Sequence, residues 1–163
     1  MRRSLLVAAL VAVAALAPVA QATPPAPDVP GDIAVPAGNK PYLTLHAVGV
    51  QIYSCNGQAW VPVAPRADLY DREGELVGTH YAGPRWQTKD GSTVVASRVS
   101  GVNVDPTAVD WLLLAATPTA EGRLGLTTYI QRINTTGGRA PAGGCEAGSQ
   151  IEVPYTADYV FWR

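Results

Sequence analysis

From Tyr42 onward, apolar and polar residues alternate over short runs that turn residues interrupt every few positions. A period of two puts successive side chains on opposite faces of a strand, so the pattern predicts β-structure. Val48, Val50 and Ile52 alternate with Gly49, Gln51 and Tyr53 as a half-buried strand ending at Cys55. Leu43 and Leu45 stand in the opposite phase, which predicts a bulge or strand break near Ala47. Asn56-Gly57 predicts a type I′ hairpin turn into a strand carrying Trp60, Val61 and Val63, and Ala67 to Tyr70 reads as another short strand. Asp71 to Gly74 is a turn, Leu76 to Tyr81 a strand, and Gly83-Pro84 a break before Trp86 to Thr88. Asp90-Gly91 then turns the chain into Thr93–Val99.

Asp105-Pro106 predicts a single helical turn. Trp111 to Ala116 is apolar on all sides and, by its length, a buried central strand. Leu124, Leu126, Thr128 and Ile130 alternate with Thr127, Tyr129, Gln131 and Ile133 in a further strand, and Gly137 to Gly148 is a glycine-rich loop. The closing run puts Tyr155, Tyr159 and Phe161 on one face and Val160 and Trp162 on the other, the mark of an interior strand. This beat of strands and turns predicts an all-β fold, a single antiparallel β-sandwich or flattened barrel with one disulfide, over residues 42–163.

Two segments precede that domain. Met1-Arg2-Arg3, the apolar stretch Leu5 to Val19 and the small-x-small Ala20-Gln21-Ala22 read as a signal peptide over residues 1–22. The protein is thus expected to be exported: secreted, periplasmic or otherwise extracytoplasmic. Residues 23–41 hold Pro24, Pro25, Pro27, Pro30, Pro36 and Pro41 and predict an extended arm that packs along the domain. Removing 22 residues from 163 leaves 141, enough for one domain with a real core.

The chain carries 12 basic and 13 acidic residues, and since Arg2 and Arg3 leave with the leader, the mature net charge is −3. That balance argues against nucleic acid as a partner, and no polybasic or amphipathic stretch suggests a membrane surface. Cys55 and Cys145 are the only cysteines, and in an oxidising compartment they are expected to form one disulfide.

Candidate chemistry concentrates in Gly78 to Trp86. His80 suits acid–base work near neutral pH, Tyr81 lies beside it, and Trp86 can form an apolar or sugar-stacking wall. The plainer alternative makes His80 and Tyr81 ordinary strand residues bonded to neighbouring backbone, with Trp86 in the core. Arg132 can recognise a carboxylate or phosphate through its planar fork, or be the buried partner of Asp110 or Asp158, which is the favoured reading. His46 and His80 share no metal-ligand spacing, so no metal site is expected. There is no G-x-S-x-G, Walker loop or Rossmann fingerprint, so no nucleotide cofactor is expected either. Asp68, Asp71, Glu73 and Glu75 read as a solvated loop face, and Asn134-Thr135-Thr136 fits a glycosylation acceptor.

Several blocks together resemble one secreted family. They are Gly49 to Cys55, Gly78 to Trp86, Asp110 to Leu114, Ile130 to Gly138, Cys145 and Tyr155 to Phe161, and the resemblance runs from about Val29 to Arg163. The family is catalogued as domain of unknown function 3455. The resemblance implies a small exported domain and brings no activity. Its motif residues match here as His80, Trp86 and Arg132, without assigned roles. A malate dehydrogenase label carried by some fungal relatives does not transfer, because the glycine fingerprint for that cofactor is missing. The sequence therefore favours a non-catalytic binding module for a small molecule, glycan or envelope component, using His80, Tyr81, Trp86 and Arg132. The alternative is a secreted hydrolase or metal-dependent enzyme using His80. Convergence of the four residues on one concave surface is the discriminating observation.

Overall fold

The computed structural model describes residues 23–163; the expected signal peptide lies outside the described residues. Eight antiparallel strands follow one another around a closed barrel. They are β1 (Pro41–Cys55), β2 (Trp60–Tyr70), β3 (Leu76–Tyr81), β4 (Arg85–Thr88), β5 (Thr93–Val102), β6 (Trp111–Pro118), β7 (Tyr129–Gly137) and β8 (Gln150–Trp162). Of the two expected architectures the barrel is the one formed. β1 pairs with β8 from Pro41↔Trp162 to Ser54↔Gln150, so neither terminal strand is left as an edge. One disulfide joins Cys55 to Cys145. Among the described residues no helix is long and apolar enough to cross a membrane.

Three details depart from the sequence expectations. β1 is unbroken at Ala47; its register shifts lie at Ile52/Tyr53 against β2 and at Pro41/Leu43 against β8. Its inward face runs Leu43, Leu45, Ala47, Gly49, Gln51 and Tyr53, whereas Val48 is 46% exposed on the outside. The apolar set faces out here because the barrel interior turns polar toward this end. The loop after β1 keeps four residues, with the Asn56 side chain accepting from the N–H groups of Gln58 and Ala59. Gly57 alone takes positive φ there, so the turn is not the type I′ form. Finally, β7 begins only at Tyr129, and residues 119–128 form a loop. Leu124 from that loop is fully buried in the barrel core while Leu126 is exposed, so the alternation around them belongs to a plug, not a strand.

That plug closes the lower end. The Leu124 N–H donates to Ser92 Oγ at 2.8 Å and the Arg123 N–H to the Asp90 carboxylate at 2.9 Å. Above it Leu43, Leu45, Leu69, Trp86, Val94, Ile130 and Phe161 fill the interior. A small eight-stranded barrel has room for little beyond its own side chains.

The proline-rich arm packs on the outside. It makes a single 3-10 turn at Gly31–Ile33 and buries Ile33 completely against Leu113, Ile133, Val160 and Trp162. This second apolar cluster explains why β6 and β8 are hydrophobic on both faces: one serves the barrel core and the other the arm. The link is also polar. Gln131, fully buried, donates to the Ile33 carbonyl at 2.8 Å and accepts from Trp162 Nε1 at 2.9 Å. The arm ends where Lys40 and Arg163 exchange both backbone hydrogen bonds.

Candidate functional site

Strand register sets the shape of the upper end. β2 pairs with β3 only from Ala67 downward, and β4 pairs with β5 only up to Val95. The β3–β4 hairpin is therefore a low stretch of wall, with His80↔Trp86 paired near its top. Two glycines let neighbouring strands approach around this bend. A Cβ at Gly49 would collide with the Arg66 carbonyl and Ala67, and one at Gly78 with the Gln87 carbonyl.

His80 points inward and is 3% exposed. Its ring stacks on Trp86 at 4.2 Å with 14° between planes, and meets Tyr159 edge-on at 5.0 Å. Nδ1 lies 2.9 Å from the Arg85 carbonyl. A carbonyl only accepts, so Nδ1 carries the proton and the neutral ring keeps its lone pair on Nε2. Burial pushes the His80 pKa down to about 3, and the nearby Arg132 charge adds to this. Such a ring is neutral across the physiological range and a feeble base. Trp86 is 1% exposed and its Nε1 has no hydrogen-bond partner.

Arg132 follows Ile130 on the inward face of β7, opposite Gln131 and Ile133, which face the arm. Its positive charge acts on His80, Tyr53, Tyr155 and Tyr159. Neither expected carboxylate is its ion-pair partner. Arg132 Nε donates to the backbone carbonyl of Asp110 at 3.0 Å. Asp158 lies on the outer face, where it accepts from Asn134 Nδ2 and contacts His46 Nδ1, each at 2.8 Å. Among the described residues no carboxylate comes within 4 Å of the Arg132 guanidinium.

The structure thus brings His80, Trp86 and Arg132 together and sends Tyr81 elsewhere. One residue from His80, Tyr81 necessarily faces the other side of the sheet, where its hydroxyl donates to Gln87 Oε1 at 2.9 Å. It borders a shallow outer concavity of about 430 Å³ with Val48, Val50, Arg66, Asp68 and Thr79, a lining that His80 also reaches. Arg66 there is already held by Glu152 at 2.6 Å.

Sequence reasoning missed four members of the inner cluster. Tyr155 and Tyr159 share the buried face of β8 with their hydroxyls 3.3 Å apart, and burial raises the pKa of each above the usual phenol range. Tyr53 donates to the Gly138 carbonyl at 2.6 Å, and Gln51 Nε2 is buried without a partner. Their signal was phase: Gln51 and Tyr53 continue the parity of Leu43 and Leu45. The acidic group behaves as a solvated turn, with Asp71 Oδ1 accepting from the Glu73 and Glu75 N–H groups. Among the described residues no three His, Cys, Asp or Glu side chains cluster as metal ligands.

A family model described as "Protein of unknown function (DUF3455)" matches residues 36–163. Comparison with curated proteins finds no match, and comparison with solved structures finds none.

Proposed function

The chain belongs to the DUF3455 family of proteins of unknown function, and from that premise, which carries no activity with it, we propose that it is an exported, non-catalytic module that binds a small molecule at the upper end of its barrel. One observation carries the reading: at that end the inward-facing set includes a charged guanidinium and three tyrosines, whereas the buried polar groups of the lower end, such as Ser92 and Thr127, are hydrogen-bonded within the plug. Gln51, Tyr53, Arg132, Tyr155 and Tyr159 face one another there, and the buried amide of Gln51 is left without a partner. A buried amide without a partner is costly for stability alone, so its place beside this charged and phenolic set fits ligand recognition better than core building. The Cys55–Cys145 bridge suits an exported protein and ties the loop that borders this end to β1.

A hydrolase or metal enzyme using His80 is the weaker reading. The ring is stacked, its Nδ1 proton is committed to a backbone carbonyl, and its low pKa leaves it poorly matched to proton transfer near pH 7. A test is amide and side-chain NMR of the oxidised protein against mixtures of small organic molecules. The proposal expects saturable shifts at the Gln51 side-chain amide and at Gly138, which lies against it. Shifts confined to the Tyr81 concavity, or none with any mixture, would overturn it.

A further inference from the structure

Two guanidinium groups flank the Asp110 carboxylate at the upper end, and a third is bonded to the backbone carbonyl of the same residue. Asp110 stands just ahead of β6, and its carboxylate is half-buried among Arg98, Arg139 and Asn103. Arg98 Nη2 lies 3.6 Å from one carboxylate oxygen and Arg139 Nη2 lies 3.6 Å from the other. Both separations exceed hydrogen-bonding distance, so the two guanidiniums sit near Asp110 without sharing a proton with it. The shorter contact to that carboxylate comes from Asn103 Nδ2 at 3.1 Å. Arg132 reaches the same residue through its backbone carbonyl.

The local charges do not balance. Asp105 is the other acid in the adjoining loop, and its Oδ1 is occupied by the Thr107 N–H and hydroxyl at 2.8 and 2.7 Å. Three cations against two anions leave an excess of one. Among the described residues no other carboxylate lies within 4 Å of these guanidiniums. The side chains are also positioned. Arg98 folds over Gly101, where a Cβ would stand 2.5 Å from its Nη2, and Arg139 Nη1 donates to the Pro106 carbonyl at 3.0 Å. Tyr53 lies in the field of both Arg132 and Arg139.

We infer that this arginine triad is an anion subsite, and that the ligand of the barrel is a small organic anion whose carboxylate or phosphate ester oxygens are read by Arg98, Arg132 and Arg139. The inference rests on the binding reading above and supplies its ligand class. Planar forks present paired N–H donors that match either group, and the tyrosines beside them offer an organic body aromatic surface.

The test is titration of the protein with succinate, glycerol 3-phosphate and neutral erythritol at low ionic strength, followed by calorimetry and NMR. Arg98→Gln and Arg139→Gln remove half-exposed cations that carry little of the fold, and Arg66→Gln is the control on the outer face. The expected result is saturable binding of at least one anion, weakened by about tenfold in Arg98→Gln and in Arg139→Gln, unchanged in Arg66→Gln, and falling with added salt. The relative affinities of succinate and glycerol 3-phosphate say which oxyanion is preferred. Equal anion affinity in all three variants overturns the inference, and so does absence of anion binding. If erythritol or neutral members of the mixtures still shift Gln51 and Gly138, the subsite is refuted and the binding module stands. If nothing shifts them, both fall.

Discussion

Acidification should destabilise this protein through His80. The folded ring has a pKa of about 3, against the ordinary imidazole value of 6.5 that the unfolded chain takes. The depressed value means that the unfolded chain binds a proton that the folded barrel refuses. Stability is therefore fully present above pH 6.5 and is lost as pH falls, until the folded ring itself protonates. The slope in that window approaches about 1.4 kcal/mol per pH unit, which integrates to about 2 kcal/mol between pH 8 and pH 5. Any folded pKa below 4 gives the same loss over that range. The assay is urea unfolding by tryptophan fluorescence at half-unit intervals, on wild type and His80→Gln. Glutamine can still offer an N–H toward the Arg85 carbonyl but cannot take up the proton. The difference in stability between the two proteins should shrink by about 2 kcal/mol on going from pH 8 to pH 5; His46 is common to both and cancels. Parallel pH profiles would refute the claim that a neutral imidazole is locked in the core.

Other outcomes follow from the packing. Ile33→Ala removes the arm's fully buried anchor and should cost about 2–4 kcal/mol in urea unfolding, with faster proteolysis ahead of Lys40; an unchanged midpoint would show that the arm is not part of the cooperative unit. Replacing both Cys55 and Cys145 with serine opens a link between residues 90 apart and should lower stability by about 4–5 kcal/mol in the chain-entropy model, measured by the same unfolding curves. Gly49→Val puts a side chain into the Arg66 carbonyl and should abolish or severely reduce folded yield, whereas Gly31→Ala, with open space around it, should leave the thermal midpoint within a degree or two.

Much of the strand map was legible because turns announce themselves locally. Gly74 and Gly91 adopt positive φ where the sequence placed turns, and the strands on either side end as expected. What failed were readings that needed the third dimension. The phase of β1 was inverted because the usual rule, apolar inward, presumes an apolar interior, and Gln51 and Tyr53 face a polar one. Leu124 looked like a strand residue because a plug and a strand both bury alternate positions. At the site, His80 and Trp86 were visible as unusual residues in one block, and their pairing follows from the Gly83-Pro84 break. Arg98 and Arg139 were invisible. Neither stands in a motif, and what matters about them is their common distance from Asp110, which depends on how β5, β6 and the loop after β7 meet.

The paired backbone of Lys40 and Arg163 carries a consequence for how the molecule comes into being. The first strand finds its second neighbour only in the last one, so no shorter version of the chain is a closed object. Until Tyr155–Trp162 is free to dock, the other strands form an open sheet with two bare margins, and the arm lacks Val160 and Trp162 for its shelf. Contacts joined over so many residues are slow to form and leave exposed edges while they wait. Whatever delays release of the final strand therefore sets when this protein becomes safe from its own kind.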